Sequence, residues 1–409
     1  MIEKILILFY FIKARWFTRK YSQRLYNEQM KFIRTHSPFY ADKADIPIID
    51  KKIMMEKFNE INTVGIDKDE ALAFAIECEK TREFGKKLHG VTIGLSSGTS
   101  GHRGVFVVSD KERALWAGTI LAKALPKGKI FGNRIAFFMR ANSELYETVH
   151  SNIIKFKFFD MYGDMANNIS QLQEFNPTIL IAPPSMLLEI SKHSPNIRPI
   201  KVVSIAEILE ENDSEIIKKA FGVSVVHQVY QCTEGFLGLT CECGTLHLNE
   251  DFIVIEKEWI DEHRFYPIIT DLKRRSQPMI RYRLNDILVE KSEPCKCGSK
   301  FLALEKIEGR QDDVFEFEGE SGEKVKIFPD FIRRCVLFVD NIGEYRVRQI
   351  AVDKVEILID DIDENRKGAI VAEFEKLSNH FKFKLPQITF ANYEYSRNRK
   401  LKRVEKILW

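Results

Sequence analysis

Ser96-Ser97-Gly98-Thr99-Ser100-Gly101-His102-Arg103-Gly104 directly follows Val91-Thr92-Ile93-Gly94-Leu95, an apolar run with the composition of a strand. Small residues let the backbone approach a ligand closely. Their N–H groups and hydroxyls can surround phosphate oxygens, and Arg103 adds a fixed positive charge. The run is not a Walker loop, because no Gly-x-x-x-x-Gly-Lys-[Ser/Thr] occurs in the chain and no helix clearly begins at its end. Taken alone, it is also readable as a flexible hairpin turn.

Outward from this loop, strand-like and helix-like stretches alternate as far as residue 230. Strands are expected at Arg134–Met139, Thr178–Ala182, Lys201–Ile205 and Val223–Val226. A helix is expected over Asp110–Leu125, with Asp110 as N-cap and Leu115, Ile120, Leu121 and Leu125 on one face. Such alternation predicts crossover units and a mostly parallel sheet covered on both faces. Residues 240–308 are turn-rich with short strand candidates. Beyond Arg310 the pattern predicts a compact α+β unit: a helix near Pro329–Val336, strands at Glu344–Ala351 and Lys354–Ile359, a helix at Arg366–Phe381 and a strand at Gln387–Tyr395. The expected fold is therefore α/β, with a large N-terminal domain over 1–308, a small α+β domain over 309–409, and a boundary at 309–313.

The composition limits the function class. The chain has 409 residues, 44% of them hydrophobic and 30% charged, with 62 basic and 59 acidic residues giving a formal charge of +3. This is an ordinary globular composition, and the near-neutral balance argues against a dedicated nucleic-acid binder. The seven cysteines are an odd number, and four of them fall in two Cys-x-Cys pairs. That pattern fits a reducing, cytoplasmic setting and a metal site rather than a disulfide framework. Cys241-Glu242-Cys243-Gly244, followed by His247, and Cys295-Lys296-Cys297-Gly298 suit a tetrahedral structural zinc within an insertion at about 240–300. At the N-terminus, Ile5–Ile12 is too short for a membrane span, which needs about 20 apolar residues. It reads as an amphipathic helix packed on the protein, or as a peripheral membrane contact through Trp16, Phe17 and nearby Lys and Arg. Cys232 is not expected to act as a nucleophile.

Six segments in order resemble the signatures of the adenylate-forming enzyme superfamily. The 96–104 run resembles its phosphate loop, and Ser204-Ile205-Ala206-Glu207-Ile208 its adenine-packing segment. Tyr230-Gln231-Cys232-Thr233-Glu234 resembles the aromatic-x-x-Thr-Glu motif, and Arg281-Tyr282-Arg283-Leu284-Asn285-Asp286 the ribose-binding segment. Gly309-Arg310-Gln311-Asp312-Asp313 resembles the interdomain hinge, and Arg399-Lys400-Leu401-Lys402-Arg403-Val404 the terminal catalytic-lysine motif. The chain from about residue 20 is most similar to the branch holding phenylacetate-CoA ligase, a coenzyme F adenylyltransferase and capsule-biosynthesis relatives.

The resemblance implies a role for each position. Ser96, Ser97, Gly98, Thr99, Ser100, Gly101 and Arg103 would bind the phosphates of ATP, with Arg103 standing where the family often has Lys. Ala206, Glu207 and Tyr230 would border adenine, Asp286 would bind the ribose hydroxyls, and Arg310 would also contact the nucleotide. Thr233 would contact phosphate and Glu234 would hold magnesium. Asp312 would be the hinge of a mobile small domain. Lys400 would bridge the substrate carboxylate and the α-phosphate. Arg399 stands where the family usually has Gly, which leaves Lys402 as the alternative; otherwise Lys402 is expected to serve only the local surface. Cys241, His247, Cys295 and Cys297 would hold zinc, with Cys243 as the competing ligand. The segment Phe137–Tyr146 would border the acid pocket. The implied reaction is ATP-dependent adenylation of a small carboxylic acid and acyl transfer to CoA or a carrier-protein thiol. The alternatives are AMP transfer to a hydroxyl, acyl transfer to an amine, and a non-catalytic binding protein on the same scaffold.

Overall fold

The computed structural model describes residues 2–81, 83, 85–96, 104–139, 154–193, 195–339, 342–360, 363–394 and 400–407. Ser97, Gly98, Thr99, Ser100, Gly101 and Arg103 of the loop, residues 140–146 and Arg399 lie outside them. The chain forms two compact units, Met1–Leu284 with Val289–Lys306, and Asn285–Leu288 with Ile307–Trp409.

The sheet of the first unit begins where the apolar runs do. β1 (Thr92–Leu95) and β2 (Val105–Val108) pair antiparallel as a separate hairpin, so the strand before the Ser/Gly/Thr loop is not part of the large sheet. β3 (Asn133–Met139), β4 (Ile154–Asp160), β5 (Ile179–Ala182), β6 (Lys201–Ile205) and β7 (Val226–Cys232) form a parallel array in the order β4-β3-β5-β6-β7. The array is buried because crossover helices cover it. Helices Met165–Phe175, Pro184–Lys192 and Glu211–Phe221 pack Leu172, Leu187 and Phe221 onto Phe138, Leu180 and Val202. β8 (Gly235–Thr240) and β9 (Leu246–Leu248) then extend the sheet antiparallel. β10 (Ile253–Trp259), β11 (Arg264–Asp271) and the two-residue β12 (Tyr282–Arg283) follow at its far side.

Two local readings change. The expected strand at Val223–Val226 starts only at Val226. Gly222 ends the preceding helix in the left-handed conformation (φ +69°), and the Val223 N–H is bound back to the Lys218 carbonyl at 3.2 Å, so Val223 belongs to the helix cap. The helix Asp110–Ala124 is capped by Ser109, one residue before Asp110, through a reciprocal capping box with Glu112. Glu112 does more than cap: its carboxylate accepts from the Ser276 N–H at 2.8 Å and from the Ser276 hydroxyl, tying this helix to the 271–279 loop. Burial pushes the Glu112 carboxyl up, but the Ser109 and Ser276 donors outweigh it and hold it below the usual range.

The N-terminal run forms a helix, Ile2–Trp16, packed along Asp110–Ala124. Close approach needs a residue without Cβ, and Gly118 supplies it. A Cβ there would lie 2.5 Å from the Ile7 carbonyl oxygen and 2.8 Å from Tyr10 Cβ. The Arg15 guanidinium donates to the carbonyls of Ala122, Leu125 and Pro126 at 2.7–2.9 Å, capping the C-terminal end of the partner helix.

The second unit carries its own core. β17 (Tyr345–Ala351) and β18 (Lys354–Ile359) form an antiparallel pair. β19 (Gln387–Ala391) joins β18 in parallel and β20 (Val404–Lys406) joins β17 in parallel. Helices Pro329–Leu337 and Glu364–Phe381 bury Ile332, Val336, Ile370 and Phe374 against Val347 and Ile357. The last expected strand is shorter than its pattern: it ends at Ala391, and Tyr395 lies outside the described residues.

Gly118→Val forces the N-terminal helix off its bed. Overpacking of this kind costs about 1–3 kcal/mol. Thermal melting should fall by several degrees, and limited proteolysis should cut near residues 17–22 faster than in the parent chain. A variant that melts and digests like the parent would show that the helix is not held by this contact.

Candidate functional site

Parallel strands present their carboxyl ends at one edge of a sheet, where ligands bind in open α/β folds. β6 and β7 are neighbours there, and the predicted adenine and Thr-Glu segments follow directly on their ends. Ala206, just past β6, holds φ +64°. A left-handed conformation costs a residue with a Cβ about 1–2 kcal/mol, and such strain gathers at ligand sites. The next residue is used locally, since Glu207 Oε2 accepts from the Ser185 N–H at 3.3 Å at the start of helix Pro184–Lys192. Tyr230 is buried within β7.

Thr233 and Glu234 form the turn between β7 and β8. The Thr233 hydroxyl donates to Glu234 Oε2 at 2.9 Å, and the Tyr282 phenol donates to Oε1 at 3.1 Å. Burial, then the facing Glu234 carboxylate, drives the Tyr282 pKa far above that of a free phenol, so Tyr282 is a fixed donor. The Arg274 guanidinium donates to the Thr233 carbonyl and to Gln277 Oε1. Gln277 in turn accepts from the Val107 N–H at 3.0 Å and donates to the Val105 carbonyl at 3.3 Å, fastening the β1–β2 hairpin to the same loop.

These connections bring the neck of the Ser/Gly/Thr loop beside the Thr233–Glu234 turn. Ser96 closes that neck: its N–H donates to the Gly104 carbonyl, and its hydroxyl accepts from the Gly104 N–H, both at 2.7 Å. One cavity is lined by Lys51, Ser96, Gly104, Thr233, Glu234 and Tyr282. Its hard oxygens come from the Glu234 carboxylate and the hydroxyls of Ser96, Thr233 and Tyr282, which suits magnesium, an ion that keeps most of its shell for water and phosphate oxygens. Sequence reasoning gave no role to Lys51, Arg274, Gln277 or Tyr282. Tyr282 lay inside a quoted motif, whereas the other three carry no local signal.

The two arginines of the 281–286 segment are structural. Arg281 forks onto Glu256 at 2.8–3.2 Å, and Arg283 pairs with Glu258 at 2.7 Å. In the second unit, Asp286 is buried with Arg310 Nε at 3.3 Å. Asn285 donates to Asp312 Oδ2 at 2.8 Å, and its carbonyl accepts from the Gln311 N–H at 2.7 Å. The predicted ribose and hinge segments are thus bound to each other. Lys400 is half-buried, three residues before the end of the turn leading into β20. Lys402 is not the simple surface residue expected: its ammonium meets the buried Asp313 carboxylate at 2.9 Å. Burial raises the Asp313 pKa, and Lys402 works against that rise.

The Cys-x-Cys segments form a second cluster. Each is a tight turn closed by a glycine in the left-handed region, Gly244 at φ +84° and Gly298 at φ +74°. The Gly N–H bonds back to the first cysteine's carbonyl at 3.0 and 3.1 Å. The turns bring Cys241, His247, Cys295 and Cys297 together, with their donor atoms all within 4.8 Å. Cys241 Sγ lies 3.7 Å from Cys295 Sγ, and Cys297 Sγ lies 3.4 Å from His247 Nε2. A tetrahedron with metal–sulfur bonds of about 2.3 Å has edges of about 3.8 Å, so the spacing fits zinc. His247 Nδ1 sits 3.1 Å from the Phe301 carbonyl, which fixes the tautomer that offers Nε2 to a metal. Cys243 is exposed and is not one of the four.

No family model matches the chain, and no curated protein matches its sequence. Solved structures do match its fold. A 2-hydroxyisobutyryl-CoA ligase in the postadenylation state, in complex with 2-HIB-AMP, aligns with a TM-score of 0.69 at 15% identity, covering 94% of this chain and 88% of that one. The GH3.15 acyl acid amido synthetase aligns with a TM-score of 0.55 at 11% identity, over 89% and 84%. An anthranilate CoA ligase in complex with anthranoyl-AMP aligns with a TM-score of 0.54 at 15% identity, over 77% and 67%. The chain has the fold of the adenylate-forming ligases.

Two outcomes follow from the geometry. Purified untagged protein should contain about one zinc per chain. Cys295→Ser should lose it and lower the melting temperature by several degrees, because binding to such a site adds directly to folding energy. Metal-free protein that melts like the zinc-loaded form would remove the site. Lys402→Met leaves a buried carboxylate unpaired, so it should destabilise the second unit by about 2–3 kcal/mol. Unchanged denaturant unfolding would show that the ion pair contributes nothing.

Proposed function

We propose that the chain activates a small carboxylic acid with ATP and passes the acyl group to a thiol, CoA or a carrier-protein arm. The observation that carries this reading is the Glu234 carboxylate, held by Thr233 and Tyr282 beside the neck of a Ser/Gly/Thr loop, at the carboxyl edge of a parallel sheet. The fold, shared with ligases captured in complex with acyl-AMPs, supports it. The ordered motifs favour the phenylacetate-CoA ligase branch, and the cysteine pattern favours a reducing, cytoplasmic setting.

In the first step a carboxylate oxygen attacks the α-phosphorus. A new C(O)–O–P bond forms, the bond from the α-phosphorus to the bridging oxygen breaks, and pyrophosphate leaves. Both reactants are anions, so catalysis rests on positioning and charge neutralisation. Glu234 would hold magnesium, which would supply cationic charge against the phosphates. The 96–104 loop, with Thr233, holds the phosphate oxygens, Ala206 and Tyr230 border the base, and Asp286 accepts from the ribose hydroxyls. Lys400 places one compact charge between the carboxylate and the α-phosphate, a task suited to a long flexible stem. Movement about Asp312 brings this lysine to the reaction. In the second step the thiolate attacks the acyl carbonyl and AMP leaves. The amido synthetase among the fold neighbours keeps an amine acceptor as the second reading. A zinc held by Cys241, His247, Cys295 and Cys297 would be structural and take no part in either step.

Given its acid, the protein should exchange labelled pyrophosphate into ATP. Glu234→Gln should lower this exchange by about tenfold or more. Lys400→Ala should lower it by about a hundredfold while leaving ATP affinity within a few-fold. Supplying CoA or an amine separates the two acceptors. Normal exchange by Glu234→Gln would take that residue out of the site. A Lys400→Ala variant that exchanges normally would refute the assignment of the catalytic lysine.

A further inference from the structure

The N-terminal helix is apolar on two faces. Its inner face is used against Asp110–Ala124. Its outer face carries Ile5, Leu8, Phe9, Ile12 and Trp16, at the i, i+3, i+4, i+7 and i+11 spacing of a continuous stripe. Ile5, Leu8, Phe9 and Trp16 are each 57–61% exposed, and Phe17, just past the helix, is 71% exposed. Single exposed hydrophobics are ordinary, but an aligned stripe ending in two aromatics marks an interaction surface.

Charge identifies the occupant. Lys4 and Lys13 are exposed, one at each margin of the stripe, and Arg19 is exposed beyond its end. The single acidic residue among positions 1–20, Glu3, is turned inward onto the buried Arg113 at 2.9 Å. The outer face therefore offers apolar side chains between cations, with no carboxylate among them. Two copies of this face brought together would oppose their own lysines. An anionic bilayer accepts both parts: the stripe enters the boundary between headgroups and chains, the lysine stems reach back to the phosphates, and Trp16 and Phe17 sit at the interface. Among the described residues no helix is long and apolar enough to cross a membrane, so the helix would lie in the surface plane.

We infer that the Ile2–Trp16 helix is a reversible anchor that docks the protein on anionic lipid surfaces. It holds itself to the body through Gly118 and Arg15, so docking brings the whole large unit to the membrane. The inference stands independently of the acid-activating reading.

Flotation of the full-length protein with phosphatidylcholine vesicles, and with vesicles of phosphatidylcholine and phosphatidylserine, tests it. The protein should float with the phosphatidylserine vesicles and more weakly with the neutral ones, and added salt should weaken binding. Leu8→Ser with Phe9→Ser should lower binding by at least about tenfold. Lys4→Glu with Lys13→Glu should lower it by about tenfold or more on the anionic vesicles alone. All four positions are exposed, so both variants should melt like the parent. Tryptophan emission should shift to the blue on adding anionic vesicles, and Trp16→Phe should abolish the shift while keeping the apolar face. The inference is overturned if neither vesicle binds the parent chain, or if the substitutions leave binding unchanged. It is equally overturned if the parent is a dimer that Leu8→Ser with Phe9→Ser converts to a monomer, since the stripe would then be a self-association surface.

Discussion

Glu234 carries the negative charge about which the candidate site is arranged, and both of its oxygens are held by hydroxyl donors. A carboxylate beside a phosphate-binding loop repels the ligand unless a cation stands between them, so its position defines where that cation must sit. Fixing it takes residues far apart in sequence. Thr233 comes from the turn after β7, and Tyr282 from a short strand beyond β11. Arg274 and Gln277 brace the turn and the β1–β2 hairpin together. Glu112, from the helix after that hairpin, clasps the same loop at Ser276. The network explains how a two-stranded hairpin lying outside the main sheet is held beside the Thr233–Glu234 turn.

The two glycine-closed cysteine turns solve a different problem. The turns 241–244 and 295–298 are largely exposed and bury little apolar surface of their own. A metal held by the four donors gathered there would offset that shortage by cross-linking two turns some fifty residues apart. The cluster also sits one strand away from the Thr233–Glu234 turn, because β8 connects the two directly. Stability of the metal turns and position of the Glu234 carboxylate are in this way linked through one strand.

Much of the architecture was legible in the sequence because burial leaves a periodic trace. β6 and β18 begin and end where the apolar runs do. The errors fall where local hydrogen bonding competes with that trace. Val223 is apolar but is bound into a helix cap, and Ser109 takes the capping role assigned to its neighbour. The strand before the phosphate-type loop was legible as a strand, but its antiparallel partner was not, since partner choice is a long-range property. At the candidate site, motif order picked out Thr233 and Glu234, and the paired Cys-x-Cys segments picked out the cysteine turns. Neither signal reached Gln277 and Arg274, which hold each other and the neighbouring backbone by side-chain hydrogen bonds. Lys402 was misjudged for the same reason: a lysine in a basic stretch reads as solvated until a buried Asp313 is found facing it.

The central claim is that this chain forms a mixed anhydride of an organic acid and AMP. The direct measurement is incubation of the purified protein with ATP, magnesium and a panel of carboxylic acids, with hydroxylamine as acyl trap and mass spectrometric analysis of the products. The account predicts AMP, pyrophosphate and acyl hydroxamate in equal amounts for one class of acids. Cleavage to ADP and phosphate, or no acid-dependent cleavage of ATP across the panel, would contradict it.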